Sequence, residues 1–162
     1  MPKTESHQAV HTPARPEKLA GRLLALDLGQ KRVGVAVSDE LCLTVRPLSA
    51  LQRTNWKRLL RAVAETIKSF DARGLVLGLP LQLDGTEGEA AQEARRLARN
   101  FELSLNLPVY LQDERLTSVE AEGDLRAAGF AGAQLKERVD GESAAIILRD
   151  FIEQARNAEN AS

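Results

Sequence analysis

Three acidic positions in this chain stand where a carboxylate could take a cation. Asp27 ends the apolar run Leu23-Leu-Ala-Leu-Asp27 and faces the turn Gly29-Gln-Lys-Arg32. Asp113 and Glu114 follow directly on a second apolar run, Val109-Tyr-Leu-Gln112, so two separate strands each deliver an acid at their ends. Adjacent strand residues point to opposite faces. Only one of Asp113 and Glu114 can therefore share a site with Asp27, and spacing leaves open which. Asp140 stands third, at the expected start of the last helix, where its carboxylate would equally suit an N-cap. Carboxylates from three distant segments, without an accompanying cysteine or paired histidine, form the hard-oxygen donor set that suits Mg²⁺ or Mn²⁺ rather than zinc. Two such cations about 4 Å apart can activate a water and offset the charge on a scissile phosphate. Lys31, Arg32 and Arg115 lie beside these acids and would neutralise neighbouring phosphates. Each position also has a plain structural use, since strand-ending aspartates serve as turn residues and exposed cations are ordinarily solvated.

Competing chemistries find little support. The single cysteine, Cys42, lies in an expected strand and the two histidines, His7 and His11, lie near the N-terminus. No GxSxG motif or Cys/His pairing appears, which argues against covalent catalysis. The stretch Gly78-Leu-Pro-Leu-Gln-Leu-Asp-Gly85-Thr86 is glycine-spaced but lacks the lysine a phosphate-binding P-loop needs, and reads as a loop on an active-site rim.

The elements that must hold these residues can be read from periodicity. Residues 1–20 carry no apolar pattern and are expected to form a flexible tail. A hairpin follows, with Gly29 able to take positive φ in its turn. A third strand is expected over 41–48, ended by Pro47. The spacing predicts an amphipathic helix over 55–70, with Leu59, Leu60, Val63 and Ile67 inside and Lys57, Arg58, Arg61 and Lys68 on its wet side. The run Gly74-Leu-Val-Leu-Gly-Leu-Pro80 reads as a central strand covered on both faces. Thr86 with Glu89 and Thr117 with Glu120 have capping-box spacing and open two further helices. Residues 129–139 are expected to be a mobile loop before a last helix whose buried stripe is Ala144, Ile147, Leu148 and Phe151, with the chain frayed after Gln154. The order β-β-β-α-β-α-β-α-α describes a mixed α/β sheet in one domain over about 21–155, with 156–162 as a tail.

At 162 residues and 43% hydrophobic residues, one packed core is what the chain can build. The lone cysteine points to a reducing compartment, and no apolar run approaches a membrane span or signal peptide, so a cytoplasmic protein without membrane contact is expected. The net charge of −1 conceals +6 over residues 1–73 and −7 over 74–162. A basic half beside an acidic half suits a protein that grips phosphates near a cation-binding cluster.

Four segments carry a resemblance to a known family: Leu26-Asp-Leu-Gly-Gln-Lys-Arg-Val-Gly-Val-Ala-Val-Ser-Asp39, Gly78 to Thr86, Asp113-Glu-Arg-Leu-Thr-Ser118, and Val139-Asp-Gly-Glu-Ser-Ala-Ala-Ile-Ile-Leu148. In order and joint spacing they resemble the YqgF/RuvX family over about residues 22–155. That resemblance implies a ribonuclease-H-like fold, assigns the metal carboxylates to Asp27, Glu114 and Asp140, and so chooses Glu114 over Asp113. It implies a nuclease that trims the 5′ end of pre-16S rRNA or, alternatively, a Holliday-junction resolvase acting as a homodimer. The tail before residue 20 is longer than the family usually has, and Glu142 adds an acid near Asp140. Two other classes stand beside this reading. An actin-like or sugar-kinase phosphate loop also pairs Asp-x-Gly with a Gly-Val-Ala strand, but needs two lobes. A non-catalytic nucleic-acid-binding module would keep the acids as caps.

Overall fold

The computed structural model describes residues 19–114 and 117–161, with backbone alone for 117–119, 136 and 137. Strands β1 (Leu23–Leu28), β2 (Arg32–Ser38) and β3 (Val45–Gln52) form an antiparallel meander. Helix α1 (Trp56–Phe70) then crosses over to β4 (Gly74–Leu79), and α2 (Glu89–Leu105) to β5 (Val109–Asp113). Helices α3 (Thr117–Ala127) and α4 (Gly132–Asn160) complete the chain. The sheet order is β3-β2-β1-β4-β5, with β1, β4 and β5 parallel. Because parallel neighbours need long crossovers, α1 and α2 are both laid on one face, and the ends of β1, β4 and β5 share one edge.

Strand parity divides the sheet. Leu24 and Leu26 of β1, Val33, Val35 and Val37 of β2, and Leu75 and Leu77 of β4 pack under Leu59 and Val63 of α1 and Phe101 of α2. Leu23 and Ala25, Ala36, Val76 and Tyr110 point the other way, beneath Ala144, Ile147, Leu148 and Phe151 of α4. The expected stripe on α4 is thus the buried one, and all six residues of β4 are buried, as a central strand requires.

Helix α1 begins where the sequence places it. Asn55 caps it by accepting from the Arg58 N–H at 2.9 Å, and Asp71 in the left-handed region closes it. Other boundaries move, each for a physical reason. Pro47 does not end β3, which starts at Val45 and runs through it to Gln52. An edge strand needs no outward donor, so proline is tolerated there. Residues 40–44 instead wrap Asp39, whose Oδ1 accepts from the Leu43 and Thr44 N–H groups at 2.7 and 2.9 Å. Thr86 does not cap α2. Gly88 holds that place without a side-chain bond, while the Thr86 hydroxyl donates to Asp84 inside the Pro80–Gly88 loop.

The largest revision concerns 129–139. Gly129, at φ 96°, closes α3 as expected, but α4 starts at Gly132 and continues to Asn160, so neither a long loop nor an early fray after Gln154 is present. Two glycines lower helix propensity here and disguise the helix's first turns. Gly141 is a packing requirement: a Cβ on it would lie 3.1 Å from Pro47 Cβ and 3.2 Å from the Leu48 carbonyl, where α4 crosses onto β3.

Candidate metal and nucleic-acid site

Asp27 shares strand parity with Leu23 and Ala25 and therefore points to the α4 side. Tyr110 also belongs to that side, so in the chain leaving β5 the same parity falls on Gln112 and Glu114 and excludes Asp113. The structure accordingly pairs Glu114 with Asp27 through a side-chain hydrogen bond. The backbone of Glu114 is held by its N–H donating to the Leu79 carbonyl at 3.2 Å, just past the end of the paired β4 and β5. Burial, followed by the charge of Asp27 and the bond to it, pushes the Glu114 carboxyl from 4.5 up to about 9. Burial raises Asp27 as well, the bond from Glu114 opposing and the charge of Asp140 adding to the rise. One proton shared by the pair, donated from Glu114, satisfies both trends.

Two glycines make room for the acids. A Cβ on Gly78 would fall 2.1 Å from Glu114 Oε2 and 2.8 Å from Ile147 Cδ1. On Gly34, which is the register partner of Asp27, it would fall 2.0 Å from the Asp140 carbonyl oxygen. The bare strand at Gly34 lets α4 touch the sheet beside Asp27, which brings Asp140 to the site. Asp140 is the ninth residue of α4, so its expected use as an N-cap falls away. Gly78 lies within β4, not in a rim loop, and its role is to clear space for Glu114.

The cations divide. Arg32 Nε stands 3.0 Å from Asp140 Oδ2, yet among the described residues no donor is aligned to hydrogen-bond that buried oxygen. One turn further along α4 the Ser143 hydroxyl is also buried without a hydrogen-bond partner among the described residues. Lys31 is exposed in the hairpin turn, and Arg115 lies outside the described residues. Gly29 in that turn does not take positive φ. Glycine is needed there because a Cβ would meet the Arg32 carbonyl at 2.6 Å. Arg53, missed in the sequence, buttresses the turn: its side chain donates to the Gly29 carbonyl at 2.8 Å, its backbone N–H donates to the Lys31 carbonyl at 2.9 Å, and it pairs with Glu93. Neither Arg53 nor the two glycines stands out by residue type, because what they do depends on neighbours far away in the chain.

Among the described residues no three Asp, Glu, His or Cys side chains are already grouped as ligands of one ion. The donors nonetheless fit a hard cation: all are oxygens, two are closed on one proton, and Asp140 Oδ2 is buried with no hydrogen bond from the described residues.

Comparison with known proteins identifies the family and the fold. A family model described as "RuvX: Holliday junction resolvase" matches residues 21–154. A protein of Anaeromyxobacter sp. (strain Fw109-5), named "Putative pre-16S rRNA nuclease", is 41% identical over 132 residues, covering 82% of this chain and 96% of its own. One of Picosynechococcus sp. (strain ATCC 27264 / PCC 7002 / PR-6) with the same name is 42% identical over 130 residues, 80% of this chain and 90% of its own. Among solved structures, RuvC of T. thermophilus in complex with a Holliday junction substrate superposes with a TM-score of 0.51 at 14% identity, covering 83% of this chain and 95% of that one. At that identity the likeness speaks to the fold alone, and the fold is the ribonuclease-H-like mixed sheet expected from the sequence.

Proposed function

This chain belongs to the RuvX family, and we propose that it is a divalent-metal-dependent nuclease whose cations are held by Asp27, Glu114 and Asp140. The observation that carries the reading is the joint placement of these acids: Glu114 bonded to Asp27 over Gly78, and Asp140 brought beside them over Gly34. Mg²⁺ or Mn²⁺ held there supplies an activated water and offsets charge on the phosphate. The chain's own part begins with the shared proton. Its loss from the Asp27–Glu114 pair frees carboxylate oxygens that are otherwise occupied with each other. Arg32 restrains Asp140 and, with exposed Lys31 and with Arg115, meets the phosphates on either side of the scissile bond.

The names of the 41–42% identical relatives favour pre-16S rRNA as the substrate, and the cut proposed is at its 5′ end. The family's description favours a second reading, resolution of four-way DNA junctions by a homodimer whose two sites meet two symmetric strands. No helix is long and apolar enough to cross a membrane among the described residues, and we place the activity in the cytoplasm.

The test is cleavage of a labelled pre-16S 5′-leader RNA and a synthetic four-way junction side by side, with Mn²⁺, Mg²⁺ or EDTA, by wild type and Asp27→Asn. The expected outcome is metal-dependent cutting that Asp27→Asn abolishes, a loss of at least about 10³-fold, with circular dichroism unchanged. The preferred substrate ranks the two readings. No cutting of either substrate with any metal would favour a non-catalytic binding module instead.

A further inference from the structure

Beside the carboxylates a groove of about 560 Å³ separates the edge strand β3 from the α3 and α4 helices. Its lining includes Arg32, Ser49, Gln52, Arg138 and Gly141. Arg32 also lines an adjoining cavity of about 400 Å³ whose wall includes Asp140, so the groove and that acid meet at one guanidinium. The charge of the groove is lopsided. Its one acid, Glu142, is taken by Arg149 at 3.2 Å, and Arg32 is drawn to Asp140. Arg138 is exposed, its guanidinium 4.3 Å from the centre of the Phe130 ring, and among the described residues no carboxylate pairs with it. Ser49 and Gln52, both exposed, add uncharged hydrogen-bonding groups on the β3 side.

We propose that this groove holds the sugar-phosphate backbone of the substrate strand flanking the carboxylate site, with Arg138 as the phosphate contact farther from the acids. The inference rests on the nuclease reading above. A guanidinium that no described carboxylate pairs and that stacks on an aromatic ring is pre-organised for a phosphate, which accepts from two of its N–H groups at once. The volume is that of an ordinary small-ligand cleft, enough for a nucleotide unit of a single strand and too small for a duplex. A strand lying there would leave past Arg32 directly toward Asp140.

The molecule contains its own control. Lys57 and Arg61 are also exposed and carry no ion pair among the described residues, but they sit on α1, across the sheet from the acids. Binding of a fluorescein-labelled single-stranded RNA, read by anisotropy in EDTA over a salt series, separates the two surfaces. Arg138→Ala is expected to weaken binding about tenfold at low salt and to lower the slope of log K against log salt by about 1. Ser49→Trp, which fills the groove from the opposite side, is expected to weaken binding to a similar degree while retaining the thermal midpoint. The double variant Lys57→Ala/Arg61→Ala should change affinity less than threefold. Wild-type affinity and slope in Arg138→Ala, or an equal loss in the α1 double variant, would overturn the groove. The nuclease reading survives that result if these proteins still cut with Mn²⁺. A wild type that neither binds the RNA nor cuts with any metal would remove both.

Discussion

On one face of the sheet Leu24, Leu26, Val33, Val35 and Val37 meet Leu59, Val63 and Phe101, and the side chains are large and apolar. On the other, the same strands offer Ala25, Gly34, Ala36 and Gly78 to α4, and three acids stand among them. The first face excludes water by volume. The second uses missing side chains to bring a helix backbone and a carboxylate close to the strands. A single sheet can therefore separate stability from chemistry, because consecutive residues serve opposite sides.

The sharpest test of that separation is a pair of substitutions. Phe101→Ala should cost about 3–5 kcal/mol in urea denaturation through the cavity it leaves, with the midpoint for Mn²⁺ stabilisation unchanged. Gly78→Ala should do the reverse. Its added methyl displaces the movable Glu114 carboxylate rather than backbone, so stability should fall by about 1 kcal/mol while the Mn²⁺ midpoint rises at least roughly tenfold. Equal losses of stability and metal response in both variants would break the division between the faces.

A middle-sized effect concerns pH. Glu114 lies at about 9 in the folded chain and near 4.5 unfolded, so its contribution to stability is present below the unfolded value and is lost as pH rises through the folded one. Metal-free wild type should therefore lose on the order of 2 kcal/mol relative to Glu114→Gln between about pH 5 and 9. Mn²⁺ should remove most of that difference. Parallel stability profiles for the two proteins without metal would contradict a proton shared by Glu114 and Asp27.

The smallest expected change is at Ser143, whose hydroxyl, one turn from Asp140, is buried with no hydrogen bond among the described residues. Ser143→Ala should raise stability by about 1 kcal/mol in thermal unfolding, since an unmet buried hydroxyl is removed. A loss of stability would show that the hydroxyl has a partner in solution.

The sequence by itself determined the element order and the doubly covered β4, and it offered the three acids as candidates, because periodicity and acids at strand ends are local properties. It also showed that Asp113 and Glu114 face opposite ways. Spacing left open which of the two joins Asp27 and the family resemblance named Glu114; the physical reason, that α4 covers the face carrying Tyr110, exists only once distant segments pack. Asp140 was visible as an acid, but its place inside α4 was hidden because 129–139 reads as a loop and Asp140 as a cap, whereas the helix starts at Gly132. The purposes of Gly34, Gly78, Arg53 and Arg138 belong to the tertiary structure for the same reason. A glycine makes room only for a neighbour that the fold supplies, and a cation becomes a buttress or a phosphate contact only by what the chain has folded beside it.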